Sequence, residues 1–300
     1  MADAITTASD VARFESRLGK KSFLVTMEVN PPKGTDLSEI LAAVKRVAGL
    51  VDAINVTDGS GAIMRACSLA VAKIVLDAGL DPILQMTCRD RNRLALQADL
   101  LGASILGIRN VLLLTGDDPK AGDHPDAKPV FDINSAALMQ VAKGLTQGKD
   151  MAGKELSGAP QLCIGAAADP GAKDLEVEMQ KFKAKIDAGV SFFQTQAVFD
   201  AQRLRAFMER AKMFSKPVLA GILLVKSAKM ARYMNEHVWG IHVPEDMIAR
   251  FERASDKRAE CVAVTAELIQ AVRDVANGIH LYALGWEELV PAILKKAGVA

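Results

Sequence analysis

At 300 residues the chain has the length of one large α/β barrel or two ordinary domains, and with half its residues hydrophobic and 24 % charged it is not intrinsically disordered. The balance of 37 Lys plus Arg against 36 Asp plus Glu gives a formal charge of +1, and aromatics are only 5 %, which argues against a nucleic-acid binder. No run of about eighteen apolar residues and no basic-then-apolar leader is present, while Cys67, Cys88, Cys163 and Cys261 stand too far apart for a zinc ribbon or a disulfide framework, so a soluble cytoplasmic protein is expected.

Short apolar runs alternate with helix-period segments along the chain. The runs cover 23–29, 53–58, 82–88, 110–116, 162–167, 192–196, 218–223 and 279–284, and most are too continuously apolar to be half-exposed strands. Between the first two, Leu37, Ile40, Leu41, Val44, Val47 and Val51 mark an amphipathic helix, with Asp36 placed as its N-cap. Leu175, Met179, Phe182 and Ile186 mark another that stops before Gly189, and Leu204, Phe207, Met208 and Ala211 a third ahead of Pro217. Strand followed by helix, repeated eight times, predicts a single-domain (β/α)₈ TIM barrel over residues 1–300. The rival, a doubly wound open sheet, would carry G-x-G-x-x-G after the first strand, where this chain reads EVNPPKG. Residues 117–130 predict a long loop after the fourth strand, and residues 237–277 an extra helical segment before the eighth. The first twenty residues predict an N-terminal extension, with VARFESRL as a helix covering the barrel bottom.

In such a barrel the chemistry belongs to the C-terminal ends of the strands. Polar residues gather there: Glu28, Asn30, Thr57, Asp58, Gln85, Thr87, Thr115, Asp117, Asp169, Gln194 and Gln196. Glu28 is the sharpest case. A carboxylate inside the apolar strand FLVTMEV is either paired with a cation, for which Lys33 is the neighbour, or kept protonated as a general acid. Asp117 and Asp118 form an acidic pair with no third ligand at a metal-site spacing, and helix capping is their alternative. Arg89, Arg91 and Arg93 either clamp an anion or open a solvated helix. His280 and Cys88 read as packed structural residues, His124 as a solvated loop residue, and the basic KSAKMAR (226–232) as a solvated helix face.

MEVNPPKG, MTCRDRNR, LLLTGDDP, DAGVSFFQTQAVFD and GIHLYALGW stand in order along the chain. Together they resemble the methylenetetrahydrofolate reductase family, in wording closest to a branch that is corrinoid-linked or fused to homocysteine methyltransferases. The resemblance implies a flavin-assisted reduction of 5,10-methylenetetrahydrofolate to 5-methyltetrahydrofolate, within one-carbon metabolism. Glu28 then falls on the catalytic acid, Asp117 on an acid between pterin and flavin, and Gln196, beside Gln194, on a pterin-binding amide. Thr57, Asp58, Gln85, Thr87, Thr115, Gly116 and Lys185 fall on or beside flavin contacts. Asp58, Gln85 and Thr115 replace a Tyr, a His and an Arg of the family's enterobacterial pattern, which removes partners for a diphosphate. The implied cofactor is FAD, with FMN or no flavin as alternatives and NADH or NADPH as electron donor. Met234 and Leu224 fall near the nicotinamide site or pack helix on barrel. The implied assembly is a homo-oligomer, and the alternatives are a subunit active only with an iron–sulfur or zinc partner, or a barrel acting on a phosphorylated substrate, for which GILLVKS and ALGW give a poor phosphate site.

Overall fold

The computed structural model describes residues 13–238 and 240–299. Eight parallel strands close in sequence order, β1 (Leu24–Val29), β2 (Ala53–Val56), β3 (Pro82–Thr87), β4 (Asn110–Leu114), β5 (Cys163–Ala168), β6 (Phe192–Ala197), β7 (Val218–Leu223) and β8 (Gly278–Tyr282). The (β/α)₈ barrel expected from the alternating runs is the observed fold. The helices are α1 (Phe14–Arg17), α2 (Ser38–Val47), α3 (Ser68–Asp77), α4 (Arg93–Ile105), α5 (Ser135–Thr146), α6 (Leu175–Asp187), α7 (Ala201–Ala211), α8 (Ala228–His237), α9 (Glu245–Arg253), α10 (Lys257–Val272) and α11 (Val290–Ala297). No helix among the described residues is long and apolar enough to cross a membrane.

Local chemistry sets the helix ends. Asn92, Asn134, Asp174, Asp200, Ser227 and Asp256 each accept first-turn backbone N–H groups that no helical carbonyl can reach. Asp36 acts one residue earlier than its spacing suggests. Leu37 occupies the cap position of α2, and Asp36 Oδ1 accepts from Ser38 N at 2.9 Å. Gly189, at φ +96°, turns the chain out of α6 as expected. The 237–277 segment holds α9 and α10, so three helices separate β7 from β8.

The barrel bottom is sealed. Phe14 on α1 meets Phe192 edge-on at 5.1 Å, within a cluster that includes Leu24, Ile83, Leu112, Cys163 and Leu219. Two buried carboxylates tie this plug down. Asp52 accepts from Val25 N and Lys21 Nζ at 2.8 Å each and from Arg17, and Asp81 accepts from Phe14 N at 2.7 Å, Asn110 Nδ2 at 2.8 Å and Arg13 at 3.1 Å. Burial outweighs those donors at Asp81 and raises its carboxyl above the usual value. The expected VARFESRL helix is confined, among the described residues, to the single turn of α1.

Candidate active site

Side chains alternate along a strand, so the inward position of Leu24 turns Thr26 and Glu28 into the barrel as well. The same alternation on the other strands points Asn55, Gln85, Gln194, Gln196, His280 and Tyr282 inward. Above the apolar bottom lies a polar layer. Asn55 and Gln194, on opposite walls, exchange amide hydrogen bonds at 2.7 and 3.0 Å. Gln194 Nε2 also lies 3.1 Å from Thr26 Oγ1 and 3.3 Å from His280 Nδ1, and that nitrogen is 2.9 Å from Thr26 Oγ1. Every member is buried, and apart from His280 Nε2 the layer satisfies its own polar atoms where water cannot serve. Gly221 on β7 lets the β6 backbone and the Tyr282 ring approach closely: a Cβ there would stand 2.4 Å from Thr195 O and 2.8 Å from the Tyr282 ring.

Glu28 sits one step above this layer, 6 % exposed. It accepts no hydrogen bond among the described residues, and its one ion-pair contact there is with His280, whose Nε2 lies 3.7 Å from Oε2. The Lys33 pairing considered from sequence is absent because Lys33 is bound to Asp123 instead. Tyr282 closes the same corner. Burial first, and Glu28's negative charge second, push its phenol far above the usual value, so it stays a neutral donor, 2.8 Å from Thr195 O.

Around the mouth, the predicted residues fall into two groups. Asp58, Thr87, Thr57, Thr115 and Lys185 are engaged within the protein. Asp58 accepts from Thr87 N at 2.8 Å, Thr87 Oγ1 at 3.0 Å, Ser68 Oγ at 3.1 Å and the Arg91 fork at 2.8 and 3.2 Å. Burial pushes this carboxyl up, but Arg91 and Thr87 prevail and hold it below the ordinary value. Thr57 donates to Asn30 at 2.8 Å, Thr115 to Ser135 at 3.0 Å, and Lys185 to the Ala167 carbonyl at 2.7 Å. Lys185, largely shielded, is lowered by burial. Gly116, at φ +95°, lies against β3, where a Cβ would be 2.9 Å from Thr87 Cβ. The second group has no side-chain partner in the protein among the described residues: Gln196 is exposed at the end of β6, Gln85 is buried on β3, and Asp117 is exposed after β4.

The 117–130 loop, as expected, follows β4. It crosses toward β1 and is fastened there: Asp117 Oδ2 accepts from Gly61 N at 2.8 Å, Asp123 Oδ1 from Met64 N at 2.9 Å, and Asp123 Oδ2 pairs with Lys33. A cavity of about 720 Å³ lies beside it between the β1 and β8 loops, lined by Asn30, Lys33, Arg65, Leu284 and Gly285 among others.

Several sequence readings change with these contacts. Gln194, expected to touch substrate, is 2 % exposed and committed to the polar layer, so it supports the site from beneath. Arg89, Arg91 and Arg93 are matched to Asp90, to Asp58 and Asp99, and to Asp132, an internal pairing that neither the anion clamp nor the solvated helix start anticipated. Met234 and Leu224 are buried packing residues, and Cys88 is a core thiol that burial pushes up to about 11. His280, read from sequence as a satisfied structural residue, has Nε2 buried without a hydrogen bond and directed at Glu28. The signal was its register partner: β8 pairs His280 with Thr26, one inward step below Glu28. No cluster of three or more His, Cys, Asp or Glu able to hold a metal occurs among the described residues.

Comparison with known proteins agrees with this architecture. Solved structures of oxaloacetate acetylhydrolase (TM-score 0.54, 13 % identity, 95 % of this chain and 83 % of that one) and 2,3-dimethylmalate lyase (TM-score 0.50, 13 % identity, 92 % and 84 %) share the fold, and at that identity only the fold. The 5,10-methylenetetrahydrofolate reductase of Pectobacterium carotovorum is 25 % identical over 92 % of this chain and 90 % of its own length. Methylenetetrahydrofolate reductase 1 of Schizosaccharomyces pombe is 23 % identical over 93 % of this chain, which spans only 47 % of that longer protein. A probable methylenetetrahydrofolate reductase (NADPH) of Caenorhabditis elegans, 25 % identical over 96 % of this chain, is likewise spanned over only 44 %. The family model for methylenetetrahydrofolate reductase matches residues 13–298, and the chain belongs to that family.

Proposed function

We propose that this chain reduces 5,10-methylenetetrahydrofolate to 5-methyltetrahydrofolate, with Glu28 as the general acid. The observation that carries the reading is a buried inward carboxylate at the strand ends that accepts no hydrogen bond among the described residues. A carboxyl on which no protein donor is spent keeps both oxygens free to deliver a proton to a bound substrate. Glu28 gives its proton to folate N10, the bond from N10 to the methylene carbon breaks, and an N5 iminium forms. A hydride from a reduced nicotinamide donor then closes that carbon to a methyl group, so two electrons and one proton are consumed. Gln196, an exposed amide, offers both donor and acceptor to a pterin edge. Asp117, held on one oxygen by Gly61 N, keeps the other for the ring N–H groups.

Flavin assistance meets a specific obstacle. The Thr57, Asp58, Thr87, Thr115 and Lys185 side chains are bonded within the protein, and the three arginines beside them are each matched to carboxylates. A cofactor diphosphate calls for unmatched cations or free N–H donors. These residues do not fit one. That observation favours a second reading, direct hydride transfer from NADH or NADPH to the folate iminium. An absorbance spectrum of the purified protein separates the two: retained flavin bands overturn the direct route, and turnover with nicotinamide in their absence supports it. Turnover of the chain alone also overturns a need for an iron–sulfur or zinc partner. For the acid, Glu28→Gln is expected to lower folate reduction by about 10²- to 10⁴-fold while nicotinamide binding is kept. A Gln variant as fast as the parent would defeat the assignment.

A further inference from the structure

We propose that Thr195 and Tyr282 are positioning residues for the folate: together they clamp a bulge in β6 that presents the Gln196 amide to the pterin ring. The inference rests on the pterin-binding role proposed above for Gln196 and names what holds that amide in place.

The ladder between β6 and β7 is interrupted where this amide leaves the strand. Gln194 pairs with Leu219, yet the next partners are Ala197 and Gly221, so β6 carries an extra residue over Thr195 and Gln196. Such a bulge re-aims a side chain and gives up ladder bonds to do so. Gln196 is the exposed residue in a strand whose other members are buried or half-buried. Side chains replace the missing bonds. Thr195 Oγ1 accepts from Gly221 N at 2.9 Å and donates to Gln196 O at 2.7 Å, so one hydroxyl serves both strands. Tyr282 OH donates to Thr195 O at 2.8 Å, and its ring is braced edge-on by His280 at 4.6 Å. Pairing resumes where Val198 N donates to Gly221 O at 2.8 Å. The approach is close enough that a Cβ on Gly221 would stand 2.8 Å from Gln196 O.

A buried backbone N–H or C=O without a partner is costly, so the bulge holds its shape only while the two hydroxyls serve it. Thr195 is fully buried, and water does not compete for its bonds. Valine, nearly the same shape, would satisfy neither Gly221 N nor Gln196 O. Tyr282 stays a neutral phenol and therefore a constant donor. The benefit falls on ligand binding. A glutamine at an unrestrained strand end would have to be ordered by the ligand, which weakens affinity, whereas a clamped backbone has its amide already directed. Both the folate and its reduced product carry the pterin edge, so this contact acts before and during the chemistry and is read in KM rather than kcat.

Steady-state kinetics of the purified enzyme test this. Tyr282→Phe is expected to raise the folate KM about 3- to 10-fold, as for loss of one hydrogen bond, with kcat and the nicotinamide KM within about twofold of the parent. In a Gln196→Ala background, which lacks the amide being positioned, the same substitution is expected to add almost nothing. Thr195→Val is expected to reproduce the defect and Thr195→Ser to restore near-parent binding, since serine keeps the hydroxyl. An unchanged folate KM in Tyr282→Phe, or an equal rise with and without Gln196, overturns the proposal. So does a loss confined to kcat, which would tie the tyrosine to Glu28 instead. Should Tyr282→Phe fail to fold, the Thr195 pair decides, and serine as harmful as valine overturns it. A parent enzyme inert toward the folate would defeat the proposed function instead. Amide hydrogen exchange at Gly221 keeps the two failures apart: it is expected to be faster in Thr195→Val than in Thr195→Ser, and equal rates overturn the clamp.

Discussion

The two ends of this barrel treat buried carboxylates in opposite ways. At the bottom, Asp52 and Asp81 each gather three donor groups from a backbone N–H and neighbouring side chains. At the mouth, Glu28 is buried to a comparable degree and faces one imidazole at ion-pair distance. The bottom carboxylates are fasteners: they hold the Phe14 plug and satisfy backbone groups that closure would otherwise strand. An unfastened carboxylate contributes little to the fold and retains its chemical freedom, which is the usual trade between stability and activity.

Stability measurements can break this contrast. The largest loss is expected from Phe14→Ala, about 3–5 kcal/mol, because a fully buried aromatic is removed from a closed space. Denaturant midpoints with unchanged slope would check it. Asp52→Ala is expected to cost about 1–3 kcal/mol, discounted because Lys21 and Arg17 are partly exposed and can turn to water. Glu28→Gln sharpens the comparison from the other side, with a melting temperature equal to or above the parent's. A Gln variant less stable than Asp52→Ala would end the distinction between the two ends.

Acid titration of stability separates two more carboxylates by sign. Asp58 is held below its ordinary value, so its contribution is present at neutral pH and lost as pH falls through its lowered folded value. Asp58→Asn is expected to flatten that acid limb, by about 1 kcal/mol. Asp81 is raised, so its contribution is full at low pH and declines as pH rises through the folded value. Thermal melts of Asp81→Asn should therefore show the mutational cost growing toward acid pH. A cost that grows toward alkaline pH would contradict the sign.

The strand order and strand ends were legible because each apolar run is bounded by polar or turn residues. The predicted 53–58 and 82–88 differ from β2 and β3 by one or two residues at the C-terminal end. The loop over 117–130 was legible from its Pro, Gly and Asp content, but its fastening to Gly61, Met64 and Lys33 was not, since those partners belong to other crossovers. Pairing obscured the arginines in the same way: Arg91 finds Asp58 and Arg93 finds Asp132 only after β2, β3 and β4 are neighbours. Glu28 stood out because a lone acid interrupts an apolar strand. His280 did not, because its meaning lies in the closure of β8 onto β1, which brings the two ends of the chain together.

The amide rung between Asn55 and Gln194 gives the imidazole a remote dependence. Asn55 belongs to β2, the wall opposite Gln194, and it fixes which way the glutamine amide faces beneath the ring. A substitution at Asn55 would thus be registered as a disturbed amide layer directly beneath a carboxylate on a different strand. Sequence drift inside this cylinder is constrained by electronic bookkeeping as well as by volume.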